Sequence, residues 1–285
     1  MRIHLCGVRG STPAPGAAFA RVGGHTSCIA VAHDDEEVPR LLLDAGTGLR
    51  AVPALLGGEA FHGTILLGHL HWDHMMGLPF FKSADNHDAV TRVIVPEQGV
   101  PALELLSETM RPPAFPIGPT DLRGTWSYET IDEGESAIEG FSVLAREIPH
   151  PGGRAMGYRI SDAHSSIVYM SDHGPAGEMG PGPDGLGPYH EAALTLCAGA
   201  DLIIHDSQYT ASELPARVHF GHSAVDYPIE LAKRAGAAGV LLFHHDPDRT
   251  DVQVDAIEQS FQGIDGLRVH AAREGDTIRI GAVIG

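Results

Sequence analysis

The segment LLGHLHWDHMMGL, residues 66–78, sets three histidines and an aspartate within six positions directly after an apolar run. Buried imidazoles and carboxylates without partners are costly, so the pattern calls for a reason. The run GTILLGHLH (63–71) reads as a buried strand, and side chains alternate along a strand with period two. His69 and His71 therefore share a face at its C-terminal end. Asp73 and His74 follow on a loop and can turn toward a second point. One short peptide thus offers two nitrogens to one metal ion and a nitrogen–oxygen pair to a neighbouring one.

Other apolar runs end in the same way. His150, in EIPHPGGRAMGYRI, stands just past one strand and before a Gly turn. Asp172 ends IVYMSD, and His244 and His245 end GVLLFHH. Strand ends that repeatedly close on His or Asp imply side chains converging on one edge of a layered sheet structure. The 18 histidines of the chain fit this reading, because histidine is the commonest metal ligand.

Around these ends the chain reads as strands first and then alternating helix and strand, with the same order in its second half. A hairpin joins 28–33 to 41–48. Strands are expected at 91–97, 125–131, 141–149, 156–161, 165–172, 201–206, 239–245 and within 267–280. Helices are expected at 101–110, 189–199, 226–237 and 251–261, with a Gly/Pro loop at 174–188. That pattern predicts an α/β protein in four layers, two mixed sheets packed face to face with helices outside. No stretch resembles a flexible linker, so one domain is expected over 1–285.

Composition narrows the function. The formal charge is −18, from 19 Lys and Arg against 37 Asp and Glu, which disfavours extended binding to nucleic acid phosphates. A small anionic substrate stays compatible, because bound divalent cations reverse the local field. The three cysteines are scattered, so a disulfide framework is not expected. No apolar stretch approaches the ~20 residues of a membrane span, and the N-terminus lacks a signal-like apolar segment. A cytoplasmic location is the expectation. GVRGSTPAPG (7–16) lacks the lysine ending and following helix of a phosphate loop and reads better as a turn or a loop rimming a cleft.

HLHWDH, the isolated His150 before a Gly turn, the strand-ending Asp172 and FHHDP occur in the order of the metal-ligand motifs of the metallo-β-lactamase superfamily, which the chain resembles over nearly its whole length. Its segments ADLIIHDSQYT (200–210) and FGHSAVDYPIELAKRAGA (220–237) resemble the branch that contains ribonuclease Z and related phosphodiesterases. The resemblance implies that His69, His71 and His150 hold one metal ion. It implies that Asp73, His74 and a last histidine hold the other, with Asp172 bridging. Spacing to Pro247 favours His244 for that last ligand, with His245 as the alternative. Zinc suits this nitrogen–oxygen set, with manganese or iron as alternatives.

Two ions ~3.5–4 Å apart stabilise both the attacking and leaving oxygens of an in-line displacement. The resemblance gives Asp73 a part in orienting the attacking water. It makes His222, in GHS, the group that protonates the leaving oxygen, with Asp206 orienting its ring. Asp206 stands where many ribonuclease Z sequences carry glutamate. Asp44, in LLLDAGTG, could support a metal-bound histidine from behind or cap a turn.

Ribonuclease Z grips tRNA with an extended arm, whereas the longest irregular insert here, GPAGEMGPGPDGLGP (174–188), is acidic. No Lys or Arg occurs between Arg159 and Arg217. The expected activity is therefore hydrolysis of a small phosphodiester, such as a cyclic nucleotide or related cyclic phosphate. The alternatives are hydrolysis of a lactone, thioester or lactam, ribonuclease Z-like RNA processing, and a metal-dependent sensor that binds without turnover. The resemblance also implies a homodimer.

Overall fold

The computed structural model describes residues 1–178 and 185–281. The acidic insert at 174–188 therefore falls partly, at 179–184, outside the described residues. The first sheet takes β1 (Arg2–Gly7), β2 (Cys28–Ala32), β3 (Leu41–Leu43), β4 (His62–Leu66), β5 (Val90–Pro96) and β6 (Thr125–Ile131). The second takes β7 (Gly134–Ile138), β8 (Phe141–Ile148), β9 (Ala155–Ser161), β10 (Ser166–Met170), β11 (Leu202–Asp206), β12 (Gly239–Phe243) and β13 (Arg268–Ala271). The chain then returns to the first sheet as β14 (Thr277–Arg279), giving the orders β14-β1-β2-β3-β4-β5-β6 and β13-β12-β11-β10-β9-β8-β7.

Each sheet is mixed in the same way. In the first, β14 to β3 pair antiparallel and β3 to β6 parallel. In the second, β7 to β10 pair antiparallel and β10 to β13 parallel. The repeated strand-then-helix order of the sequence thus folds into two similar halves.

Period-two alternation sorts the strand residues between faces. Ile29, Val31, Leu41, Leu43, Leu66, Tyr158, Ile167, Tyr169, Ile204 and Phe243 meet in one buried cluster between the sheets. The alternate residues Ala30, Leu42 and Ile65 turn outward and pack on Val52 of α1 (Val52–Leu55) and Leu106 of α3 (Ala102–Thr109). Val168, Ile203, Val240 and Leu242 likewise pack outward on Leu196 of α5 (Glu191–Cys197) and Leu231 of α7 (Asp226–Ala235). The four layers are helix, sheet, sheet and helix, as expected. All three cysteines are free and buried. Among the described residues no helix is long and apolar enough to cross a membrane.

The structure corrects the sequence reading at the strand ends. β4 stops at Leu66 rather than reaching His71. The Gly68 N–H donates to Asp44 Oδ1 at 2.7 Å, and the Gly68 carbonyl accepts from Met156 N at 2.8 Å. The backbone therefore leaves its own ladder for groups elsewhere, and His69 and His71 project from an extended segment beyond the strand. Asp73 and His74 lie not on a loop but in a one-turn helix, α2 (Trp72–Met75). The strand β7 was not expected, because GESAI at this sheet edge is mostly exposed and lacks apolar alternation. Three further one-turn helices, α1, α4 (Pro175–Glu178) and α6 (Leu214–Arg217), are too short for periodicity to reveal. Helix α8 (Asp251–Ser260) lies within the expected span.

Candidate metal centre

The parallel strands of both sheets deliver their C-terminal ends to one rim. There the segment 69–74 meets His150 after β8, Asp172 after β10, Asp206 at the end of β11 and His244 after β12. His69, His71 and His150 each present a donor atom within 4.8 Å of the others. Asp73, His74, Asp172 and His244 form a second such group.

Asp172 faces both groups with different oxygens. Its Oδ2 lies 3.8 Å from His69 Nε2 and 3.7 Å from His150 Nε2. Its Oδ1 lies 3.0 Å from His74 Nε2 and 3.3 Å from His244 Nε2. Asp73 Oδ2 sits 3.1 Å from His74 Nε2 and 3.3 Å from His244 Nε2, and it accepts the Ser11 N–H at 2.7 Å.

The far ring nitrogens are anchored to oxygens. His74 Nδ1 donates to Asp44 Oδ2 at 2.6 Å, His150 Nδ1 to the Gly221 carbonyl at 2.7 Å, and His244 Nδ1 to Gln208 Oε1 at 2.9 Å. In its neutral form, with the proton on Nδ1, each ring turns a bare Nε2 lone pair into the cluster, the tautomer that leaves Nε2 free for a cation. His69 Nε2, His74 Nε2 and Asp172 Oδ1 are buried there with no hydrogen-bond partner. Converging lone pairs and carboxylate oxygens repel one another and suit a divalent cation in each group. The residues present therefore fit two adjacent ions.

The carboxylates set the local electrostatics. Burial alone would lower the His74 pKa, but Asp172, Asp73 and Asp44 raise it well above the ordinary histidine value. Burial would raise that of Asp73, but the imidazoles of His74 and then His244 beside it hold it far below the carboxylate range. His69 is pushed down by burial and by the neighbouring His74.

Local backbone strain aims two of these groups. His244 takes φ +56° and Asp44 φ +57°, a left-handed conformation that costs a non-glycine residue ~1–2 kcal/mol. The turn sends His244 into the cluster and His245 away, where His245 Nε2 donates to the Ala272 carbonyl at 3.0 Å. Of the two adjacent histidines, the structure brings only His244 to the site. Gly10 packs against its ring so closely that a Cβ would overlap Nδ1.

His222 and Asp206 also come together. His222 Nδ1 donates to Asp206 Oδ2 at 2.8 Å and lies 3.7 Å from Asp172 Oδ2. Burial would lower the His222 pKa, but Asp206 and then Asp172 and Asp73 push it up to about 9. Asp206 also accepts the N–H groups of His173 and Gln208 at 3.1 and 3.0 Å, so the shorter side chain reaches its partner. Gly221, at φ +78°, lets the chain turn past Pro151 just before His222.

A cleft of about 400 Å³ opens over the cluster, lined by His71, Asp73, His150 and His222 on one part and by Ser11, Gln208, Tyr209 and Phe220 on another. The loop 7–16 thus rims the cleft through Ser11. The sequence reading missed Gln208, whose amide joins His244 to Ser11 Oγ and Tyr209 Oη. It also missed Tyr169 and Ser171, which donate to Asp44 Oδ2 at 2.6 and 3.3 Å. Position after a strand signals Gln208 only weakly, and nothing local marks the other two. His173 is turned away, with Nδ1 2.9 Å from His205 Nε2.

Comparison with known proteins identifies the family and the fold. The Beta-lactamase superfamily domain matches residues 39–245. Ribonuclease Z of Geobacillus kaustophilus is 26% identical over 220 residues, covering 63% of this chain and 69% of that protein. Ribonuclease Z of Salinibacter ruber is 28% identical over 264 residues, covering 77% and 79%. The metallo-beta-lactamase fold protein YhfI from Bacillus subtilis superposes with a TM-score of 0.69 at 17% identity, covering 98% of this chain and 99% of that one. The chain belongs to the beta-lactamase superfamily and is a metal-dependent hydrolase with the metallo-β-lactamase fold.

Proposed function

We propose that the protein hydrolyses a small phosphodiester, cyclic or linear, at this rim. The observation that carries the reading is Asp172, whose two oxygens each face a separate donor group. His69, His71 and His150 would hold one ion, Asp73, His74 and His244 the other, and Asp172 would bridge them. Zinc suits the donors. Such ions supply an activated water and offset charge developing on the phosphoryl oxygens.

The chain's own residues do the rest. The Ser11 amide and Gly10 hold Asp73 and His244 in place. Asp206 holds His222 through Nδ1, which leaves Nε2 to deliver a proton to the departing oxygen. Tyr209 and Phe220 wall the cleft beside it. A phosphodiester is favoured over a thioester because its leaving alkoxide needs this proton and a thiolate does not, and over both thioester and lactam because the relatives carry the name of a ribonuclease. That name also supports a second reading, RNA processing, against which stands the charge of −18.

Turnover of bis(p-nitrophenyl) phosphate and of cyclic nucleotides by zinc- or manganese-loaded protein, beside nitrocefin and a thioester, tests the proposal. Phosphodiester turnover is expected to dominate. Faster turnover of the thioester or the lactam overturns it.

A further inference from the structure

A second recess lies beside the cleft. It is a groove of about 700 Å³ whose walls include His25, Thr47, Arg50, Phe80 and Lys82. Residues 11–13 separate the two: Ser11 lines the cleft and bonds Asp73, while Pro13 lines the groove. On the other side, Met76 and Gly77 of the groove follow directly on α2, which carries Asp73 and His74. A substrate seated at the cluster that extended over this loop would reach the groove.

The groove's charge runs against the rest of the molecule. Most cations of this acid-rich chain are spent on carboxylates: Arg21 on Asp255, Arg92 on Glu129, Arg249 on Glu213. Arg50 and Lys82 form no ion pair or hydrogen bond among the described residues, and both are exposed. Lys82 is one of only two lysines in the sequence. The groove's acid, Asp85, is already bound by the Arg123 guanidinium. Phe80, 66% exposed, adds an apolar ring surface to the same wall.

We propose that Arg50 and Lys82 bind a second phosphate of the substrate, distal to the one hydrolysed, with Phe80 beside the intervening ring. This rests on the phosphodiesterase reading and names its substrate class: a short nucleotide carrying a phosphate beyond the scissile one. Two guanidinium or ammonium groups match one phosphate. They are too few to follow a polynucleotide backbone, which needs a longer run of cations.

The test uses metal-loaded full-length protein and thymidine 5′-(p-nitrophenyl phosphate), unextended or carrying a 3′-phosphate or one or two further thymidylates. The readout is the kcat/KM ratio of extended to unextended ester, in the wild type and in the double variant Arg50→Gln, Lys82→Gln. Neither side chain has a partner to lose, and an unchanged Tm checks that the fold survives. The wild-type ratio is expected to reach about 10 at low salt, to rise no further once the first distal phosphate is in reach, and to fall to about 1 in the double variant. A wild-type ratio near 1, or one that survives both substitutions, overturns the subsite. A ratio that climbs with every added thymidylate overturns it in favour of polynucleotide tracking. Failure to hydrolyse even the unextended ester and bis(p-nitrophenyl) phosphate instead overturns the phosphodiesterase reading, and the subsite with it.

Discussion

Nδ1 of His74 lies 2.6 Å from Oδ2 of Asp44, although the two residues are 30 positions apart and wholly buried. Asp44 is also the acceptor for Gly68 N, Tyr169 Oη and Ser171 Oγ. One carboxylate thus orients a cluster histidine, ends β4 and ties the first sheet to the second.

Asp44→Asn tests that arrangement. An amide has one acceptor oxygen, and its NH2 faces groups that themselves donate. The expected loss is about 2–4 kcal/mol of stability and about 10–100-fold in zinc affinity. Chemical denaturation and competition with a chromophoric chelator measure the two. Wild-type zinc affinity in the variant would remove Asp44 from any role in holding His74.

His244 and His245 are adjacent but face different surroundings. His244→Ala is expected to lower zinc stoichiometry and abolish turnover, as is His71→Ala. His245→Ala breaks the bond to the Ala272 carbonyl and is expected to cost about 1–3 kcal/mol of stability while leaving zinc stoichiometry intact. Elemental analysis of the purified variants decides, and the reverse pattern would exchange the two assignments.

His222→Ala should keep both ions and slow turnover in a way that depends on the leaving group. An alkoxide needs a proton and p-nitrophenolate hardly does, so about 10²–10⁴-fold is expected for alkyl esters and much less for p-nitrophenyl esters. Equal losses across a leaving-group series would show that His222 does not deliver the proton.

Glu274 supplies a pH dependence away from the cluster. Burial raises its pKa from the ordinary 4.5 to about 7, against the opposing pull of the His25 N–H and Arg9. The folded state therefore holds this proton more tightly than the unfolded chain does. The group's contribution is fully present below pH 4.5 and is lost as pH rises through about 7. Because the side chain is partly solvated, the expected loss between pH 5 and 8 is about 1 kcal/mol. Glu274→Gln, which cannot ionise, should lose less over that range in urea titrations. Parallel pH profiles for the two proteins would remove Glu274 as the source.

Local spacing already carried much of the molecule. The alternation in CIAVA, SIVYM and GVLLF assigns inner and outer faces, because a strand's two-residue period needs no partner to be read. The ends of such runs also stand out as places where His and Asp gather, and the seven donors that the resemblance implies do meet at one rim. The extent of β4 was misread, since its end depends on Asp44 and Met156, hydrogen-bonding groups remote in the chain.

Other features belong to tertiary structure alone. A left-handed turn at His244 separates it from His245, and nothing in the dipeptide says which imidazole turns inward. Gln208, Tyr169 and Ser171 act through hydrogen bonds to His244 and Asp44, which are distant in the chain. Arg50 and Lys82 share a groove only because the chain folds the 3-10 turn Thr47–Ala51 beside the segment following α2. Sequence dictates what a residue can donate, accept or bury, since that chemistry is local. Which donors face each other, and which charges stay unpaired, is set by long-range pairing of strands and packing of the two sheets.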